Sequence, residues 1–304
     1  MNDQSRTQES QRLPLVSICT LTYNHERFIR QTVESLLMQE TNFPYEVVIS
    51  DDGSTDGTVK IIKDLITSHP NGNLIKLLTH ENMGVLPNYI FTFKQCNGKY
   101  IAFCEGDDYW TNKNKLQIQF DFLEENPDFS ICFHQVRKME NESFVSNAPD
   151  LSAEKEYEIT DLAKHPLMYT PSVMMKFIQF SPPEWYIESP LFDYPLQLLI
   201  ARTGKIKYLP LNMADYRVGT GLWTSGHGLK NIQKLVKLMT LLMKEFSSDD
   251  ELFSIFSERR SEYEKMINEH NFYLDIYSGK VNLDKISVRS SYSLLLKKLR
   301  SKLK

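Results

Sequence analysis

The sequence predicts an α/β fold, in which a mainly parallel sheet is flanked by helices and followed by a helical C-terminal region. Three observations predict it. Up to about residue 136, short apolar runs typical of buried strands alternate with segments of helical periodicity. The lengths of these segments fit right-handed βαβ units, which build parallel sheets. Beyond residue 230 only the helical periodicity remains.

Five apolar runs are predicted to form the strands, because they are short and rich in β-branched and aromatic residues. They comprise residues 15–20, 46–50, 74–79, 99–104 and 129–136. A helix is expected after each of the first four strands. These helices cover about residues 25–37, 54–66, 84–96 and 113–125. Ser54 or Asp56 is suited to cap the second of them.

The middle of the chain, residues 141–190, is less regular, because five prolines between residues 166 and 190 break any long element. Helical periodicity returns at residues 194–202, and Gly204 is a natural stop. Residues 219–226 are rich in glycine and are expected to form a loop. Two further helices are predicted near residues 230–246 and 249–272.

Composition excludes several classes of protein. Of the 304 residues, 41% are hydrophobic and 24% are charged, which is typical of a globular chain. The net charge of −4 offers nucleic acid no broad basic surface. The four cysteines stand singly, so neither a disulfide framework nor a zinc site is predicted. Because the start is polar and no apolar run approaches roughly 20 residues, we expect a cytoplasmic protein.

Three loops follow predicted strands and are expected to meet at one edge of the sheet. They are residues 21–24, 51–56 and 105–110, and the last two are dense in carboxylates. Ligands of open α/β sheets bind at this edge. Clustered carboxylates need a cation or a hydrogen-bond donor, and hard oxygen ligands suit Mg²⁺ or Mn²⁺. Because neither G-x-G-x-x-G nor G-x-x-x-x-G-K-[ST] occurs, a phosphate ligand would be neutralised mainly by the metal.

Each loop also has a structural interpretation. Residues 51–54 can form a turn that caps a helix, residues 105–108 can form a solvated turn, and Tyr23 can be a packed aromatic side chain. The position of all three loops at successive strand ends favours a ligand site. Independent surface turns would not select the same edge each time.

Four motifs carry a resemblance to a known family. They are VSICTLTYN at residues 16–24, VVISDDGSTD at 47–56, ENMG at 81–84 and GKYIAFCEGDDYW at 98–110. In order and spacing they resemble family 2 of the glycosyltransferases, whose fold is the Rossmann-like GT-A fold. The resemblance covers about residues 14–226. It implies a polar extension at 1–13, a GT-A domain at 14–226 with a nucleotide-binding half (14–136) and an acceptor half (137–226), and a helical region at 227–304.

The resemblance implies a nucleotide-sugar site at the acidic loops. The implied donor-binding residues are Thr22, Tyr23, Asp52 and Asp107. Tyr23 would stack on the pyrimidine base of a UDP- or dTDP-sugar, Asp52 would accept a hydrogen bond from that base, and Asp107 would lie near the ribose. The implied ligand of a divalent metal, Mn²⁺ or Mg²⁺, is Asp108, and Glu105 stands at the first position of the family's D-x-D motif.

The resemblance also implies a general base, for which Asp193 is the candidate. Its alternative is a cap for the helix that begins near Pro195. With Asp193 as base, displacement is direct and the anomeric configuration inverts. Gly219 stands where the family's Tyr-Arg-x-His stretch has histidine, so a contact made there by histidine would be absent or supplied elsewhere, and His227 is near in sequence.

The function implied by the resemblance is transfer of a sugar to a saccharide or lipid-linked acceptor in surface polysaccharide biosynthesis. Two alternatives stay open: a non-catalytic sugar-nucleotide-binding module and a sugar nucleotidyltransferase. The C-terminal residues 291–304 carry five basic residues and no acidic one, with leucines on one helical face. Residues 288–304 are therefore expected either to contact the inner face of the cytoplasmic membrane or to form a solvated terminal helix.

Overall fold

The computed structural model describes residues 13–177, 182–219 and 228–277. The chain divides into two compact units, Met1–Ser225 and Gly226–Lys304. The expectations for residues 1–12, for most of the loop at 219–226, for His227 and for the tail at 288–304 lie outside the described residues. Within the described ranges, no helix has a stretch long and apolar enough to cross a bilayer.

The first unit is built on one ten-stranded sheet with helices against it. The strands are β1 (Val16–Thr22), β2 (Tyr45–Asp51), β3 (Ile75–Thr79), β4 (Tyr100–Phe103), β5 (Tyr109–Trp110), β6 (Phe129–Glu140), β7 (Ser143–Ala148), β8 (Lys155–Tyr157), β9 (Met174–Lys176) and β10 (Lys205–Arg217). The helices of this unit are α1 (Ile29–Leu37), α2 (Thr58–Ser68), α3 (Val85–Phe93), α4 (Lys115–Glu125), α5 (Ile159–Lys164) and α6 (Asp193–Ala201). The α/β class is confirmed, and each predicted strand is present.

The sheet order is β3-β2-β1-β4-β9-β6-β10-β5, with β7 beside β6 and β8 beside β10. The first four strands are all parallel, as the βαβ pattern predicts. Strand β9 then enters antiparallel to both β4 and β6. The half that carries the acidic loops is thus a parallel sheet, and the other half is mixed.

The core lies on both faces of β1, because all seven residues of this strand are buried. Helix α1 contributes Ile29, Val33, Leu36 and Leu37 to the same core, and each of these side chains is fully buried. The four cysteines are buried and free. Burial raises the pKa of the Cys132 thiol to about 12, so this thiol is not a nucleophile at neutral pH.

Strand β10 is the main element that the sequence did not predict. Its 13 residues include Pro210, and a proline normally argues against a central strand. The pairing of β10 with β6 is irregular between Leu209 and Asn212, so the proline lies at a bulge where no ladder hydrogen bond is required of it. The strand ends at Arg217, which reaches the acidic loop at residues 105–108.

The second unit contains α7 (Gly228–Glu245) and α8 (Asp250–Tyr277), close to the two helices predicted there. Leu238, Met239 and Leu242 of α7 are fully buried. The rings of Phe246 and Phe256 lie 5.5 Å apart between centroids, so the two helices pack against each other near the turn that joins them.

Candidate active site

The acidic loop, residues 105–108, follows β4 and is fixed by backbone contacts. The N–H of Gly106 donates to the carbonyl of Leu21 at 2.8 Å. The hydroxyl of Thr32 on α1 lies 2.7 Å from the carbonyl oxygen of Asp108 and 3.0 Å from that of Gly106. A Cβ atom at Gly106 would lie 2.6 Å from the hydroxyl of Thr22, so only glycine fits here. The loop is therefore clamped to both β1 and α1.

Three carboxylates of this loop lie together. Glu105, Asp107 and Asp108 each offer one oxygen, and these oxygens all lie within 4.8 Å of one another. Asp107 and Asp108 are buried, and Glu105 is half-buried. Burial raises the pKa of Asp108 and of Glu105, and the neighbouring carboxylates raise both further. The cluster thus holds negative charge at a cost, which a bound cation would relieve.

Asp108 gives the clearest evidence for a ligand at the acidic loop. Its Oδ1 accepts the backbone N–H of Arg217 at 2.8 Å. Its Oδ2 is buried and has no hydrogen-bond partner among the residues that the structure describes. A buried oxygen of this kind is costly to leave unpaired, and carboxylate oxygens are the ligands that Mg²⁺ and Mn²⁺ prefer. The donor set therefore fits a divalent metal.

Arg217 is a site residue that the sequence analysis did not select. Its Nη1 donates to the carbonyl of Asp107 and its Nη2 to the side chain of Gln31, both at 2.6 Å. Its Nε donates to Glu142 at 2.9 Å. The guanidinium also lies over the ring of Tyr109, 4.7 Å from its centroid. Arg217 therefore joins β10, α1 and the β6–β7 turn around the acidic loop, and its place in the Tyr-Arg stretch was the available signal.

Asp193 is the first residue of α6 and lies on the same site. Its Oδ1 accepts the N–H of Tyr194 at 2.8 Å, and its Oδ2 lies 3.5 Å from the hydroxyl of Thr170. Burial raises the pKa of Asp193. The charge of Asp193 in turn raises the pKa of Glu105, so the two carboxylates share one electrostatic environment. The hydrogen bond from the Tyr194 N–H agrees with Asp193 acting at the start of α6. The other oxygen, Oδ2, has only the long contact with the Thr170 hydroxyl.

Two tyrosines each stand next in sequence to a residue that contacts Asp193 or Asp108. Tyr169 precedes Thr170, which contacts Asp193, and Tyr216 precedes Arg217, which binds Asp108. The rings of Tyr169 and Tyr216 are 5.0 Å apart between centroids, in an edge-to-face arrangement. Burial and the nearby acidic groups, Asp108 first, raise the pKa of the Tyr216 hydroxyl.

The loops after β1 and β2 meet beside the acidic loop. The N–H of Asn24 donates to the hydroxyl of Ser54, and the N–H of Thr55 donates to the side chain of Asn24, both at 2.8 Å. Tyr23 is 45% exposed, which contradicts the packed-aromatic interpretation, whereas Thr22 is buried.

Two aspartates of the loop at residues 51–56 accept hydrogen bonds from the backbone of that same loop or of the helix start that follows it. The structural interpretation of residues 51–54 predicts such bonds. Asp51 accepts the N–H of Ser54 at 2.9 Å. Asp56 accepts the N–H of Thr58, the first residue of α2, at 3.0 Å. These carboxylates are therefore less available to a ligand than those of the acidic loop.

Asp52 connects two of the sequence motifs. Its carboxylate accepts the N–H of Met83 at 2.9 Å and that of Gly84 at 3.1 Å, and its carbonyl accepts the side chain of Asn82 at 2.8 Å. Gly53 follows with φ +77°, and a Cβ atom there would lie 2.8 Å from the backbone nitrogen of Asn82. Asp52 thus fixes the loop at residues 81–84, and a base contact would use its remaining lone pairs.

Gly219 ends the described part of the acceptor half. Its φ of +91° lies in the region that favours glycine, and among the described residues, its chain neighbours apart, no heavy atom lies within 4 Å of the Cβ position. A histidine at this position would have to adopt that strained backbone. The glycine is therefore explained by the conformation of the chain.

Comparison with known proteins decides the family. The family model of Glycosyl transferase family 2 matches residues 17–181, more than half of the chain and all of the acidic loops. The chain belongs to glycosyl transferase family 2. The family resemblance carried by the four motifs is thereby confirmed.

Curated proteins also match a large part of the chain. Rv1520, an uncharacterised protein of Mycobacterium tuberculosis, is 34% identical over 223 residues, which cover 70% of this chain and 61% of that protein. This family 2 chain thus spans about three fifths of the length of that relative.

Solved structures share the fold. TarS residues 1–349 of S. aureus, in complex with UDP, aligns with TM-score 0.60 and 19% identity over 89% of this chain and 76% of that one. The mannosyltransferase PcManGT of Pyrobaculum calidifontis, in complex with GDP-Man and Mn²⁺, aligns with TM-score 0.61 and 15% identity over 97% and 82%. At these identities the two structures support the fold, and their ligands are facts about those proteins.

Proposed function

We propose that this chain transfers a sugar from a nucleoside-diphosphate sugar to a saccharide or lipid-linked acceptor in surface polysaccharide biosynthesis. The observation that carries the proposal is the carboxylate cluster of the acidic loop, with its partnerless Asp108 oxygen and with Asp193 in the same electrostatic environment. Family membership and the nucleotide ligands of the two fold neighbours support it.

The donor would bind across the loops after β1, β2 and β4. The exposed ring of Tyr23 is available to stack on a base, beside the buried Thr22. Asp52 and Asp107 would contact the base and the ribose, respectively. A pyrimidine donor, a UDP- or dTDP-sugar, is favoured because a single aromatic platform and one carboxylate acceptor suit the ring N–H of uracil or thymine. The ligands of the two fold neighbours, UDP and GDP-Man, support a nucleotide donor and favour neither base.

Asp108 and Glu105 would hold Mn²⁺ or Mg²⁺. The fit is argued from the partnerless Oδ2 of Asp108 and from the three clustered oxygens. When bound, the metal supplies Lewis-acid stabilisation of the diphosphate that leaves. The chain itself keeps the cluster in place, since Thr32 and Arg217 bind the backbone of the acidic loop.

Asp193 is proposed as the general base. Burial raises the pKa of Asp193, so its carboxylate is a stronger base than that of an exposed aspartate. As the acceptor oxygen bonds to the anomeric carbon, its proton passes to Asp193. The bond from that carbon to the β-phosphate oxygen breaks at the same time, and the nucleoside diphosphate departs with the electron pair. Direct displacement of this kind inverts the anomeric configuration.

The location proposed for this reaction is the cytoplasmic side of the membrane. A lipid-linked acceptor would lie at that surface, and the five basic residues at 291–304 would favour its anionic lipids. This part of the proposal rests on sequence, since residues 288–304 lie outside the described ranges.

The test is a calorimetric binding panel of UDP, dTDP and GDP and their sugars, with Mn²⁺ and with EDTA, followed by an assay for donor hydrolysis. We expect binding of UDP or dTDP that requires the metal, and slow release of free sugar. Tight binding without any turnover would favour the non-catalytic module instead. Release of pyrophosphate from a nucleoside triphosphate and a sugar phosphate would favour the nucleotidyltransferase.

A further inference from the structure

Helix α7 presents four exposed lysines on one side. They are Lys230, Lys234, Lys237 and Lys244, referred to below as the lysine face. At 100° per residue their directions fall within an arc of about 80°, and the first and last are 14 residues, or roughly 21 Å, apart along the axis. The lysine face is thus a straight basic stripe.

The opposite side of α7 packs against helix α8. Leu238, Met239, Leu242 and Phe246 are buried, and the ring of Phe246 contacts that of Phe256 on α8. The rotation of α7 about its axis is therefore fixed by an apolar interface, which holds the lysines outward. The half-buried Leu241 lies within the lysine arc and adds an apolar group to it.

The positive charge of the lysine face is not compensated locally. In the ranges that the structure describes, none of the four ammonium groups forms an ion pair. Helix α7 has a single acidic residue, Glu245, against its four lysines. The sequence of α8 is acidic, with seven Asp and Glu against three Arg and Lys, so basic residues are segregated on α7.

We propose that the lysine face is a docking surface for an anionic membrane. A straight stripe of about 21 Å fits a flat surface, and lysines near anionic lipids each add to the attraction. The basic segment at residues 291–304 belongs to the same unit by sequence and has the same charge preference. A nucleic acid is the less suitable partner, because the chain is acidic as a whole and the stripe lacks aromatic residues for stacking. This surface goes beyond the transfer reaction and does not depend on it.

Vesicle flotation of the full chain tests the proposal. The probes are vesicles of phosphatidylcholine alone and vesicles with 30% phosphatidylglycerol, at low and at high salt. We expect binding only to the anionic vesicles and loss of binding at high salt. Changing all four lysines to glutamine should weaken binding at least tenfold, while changing all four to arginine should preserve it. Because no donor, metal or acceptor is present, the result is independent of the proposed transferase activity.

The matched control replaces four exposed lysines of the first unit, Lys60, Lys63, Lys94 and Lys164, with glutamine. This variant has the same net charge as the α7 variant and should bind like the wild type. Circular dichroism of each variant checks that its helices are retained. Unchanged binding of the α7 glutamine variant would overturn the proposal. So would equal loss in the control variant, or binding of a DNA duplex in the absence of vesicle binding.

Discussion

Replacing Asp108 with asparagine should stabilise the metal-free protein while removing its metal-dependent nucleotide binding. The asparagine keeps an oxygen for the N–H of Arg217, a bond of 2.8 Å in the native chain. Its amide nitrogen takes the place of the partnerless Oδ2 and donates toward carboxylate oxygens that lie within 4.8 Å. The substitution thus replaces repulsion between carboxylates with hydrogen bonding from an amide to a carboxylate.

The expected gain in folding stability can be estimated from the cost of leaving the Asp108 oxygen unpaired. An unsatisfied buried polar atom costs about 1–3 kcal/mol. For a unit of this size each kcal/mol shifts the melting temperature by roughly 2–4 °C, so the Asp108→Asn variant should melt roughly 2–12 °C above the wild type in EDTA at pH 8. Adding Mn²⁺ and UDP should raise the melting temperature of the wild type and leave that of the variant unchanged.

Asp215 provides the matched control for Asp108. It is also buried, but it is fully paired, with Arg137 Nε at 2.7 Å and the Tyr109 hydroxyl at 2.6 Å. Asp215→Asn should lower stability by about 1–3 kcal/mol, less than for a fully buried pair because Arg137 is 42% exposed. The reasoning is refuted if Asp108→Asn melts below the wild type in EDTA, or if both variants shift in the same direction.

Three further predictions follow from the same geometry. The pKa of Asp108 is raised, so the folded state binds the proton of this carboxyl more tightly than the unfolded state does. The stability difference between Asp108→Asn and the wild type should therefore shrink as pH falls from 8 towards 5. A difference that stays constant with pH would contradict this. Gly53→Ala should cost about 1–3 kcal/mol in denaturant titrations because its Cβ would lie 2.8 Å from the backbone nitrogen of Asn82, whereas Gly219→Ala, whose Cβ has no such contact with the described residues, should cost less. Asp193→Asn should lower turnover roughly 10²–10⁴-fold with unchanged calorimetric affinity for the donor nucleotide, and a parallel loss of affinity would instead assign Asp193 to binding.

The elements predicted best are those whose apolar pattern fits only one type of secondary structure. The run at 15–20 is β1, and the amphipathic segment after Asn24 is α1, because burial on a sheet and on one helix face each impose a clear period. The acidic loop was located for the same reason, since it directly follows a buried strand. Strand β10 escaped prediction because Pro210 interrupts it, and only its pairing with β6 accommodates the proline.

Site residues divide in the same way. Tyr23, Asp52 and the acidic loop stand in motifs that the sequence displays, whereas the contacts of Arg217 depend on chain segments far from it. No local pattern shows that its backbone N–H would bind Asp108, 109 residues earlier. The same holds for Thr32, whose hydroxyl reaches the carbonyl of Asp108 across 76 residues.

The sequence alone determined the α/β class, the edge of the sheet that carries the acidic loops and the family of the chain, because periodicity and short motifs are local properties. The tertiary structure decided which carboxylate keeps an unpaired oxygen, which aspartates serve their own turns, and that α7 turns its lysines outward. Those outcomes depend on which distant groups arrive within hydrogen-bonding distance, and only the packing of the folded chain fixes them.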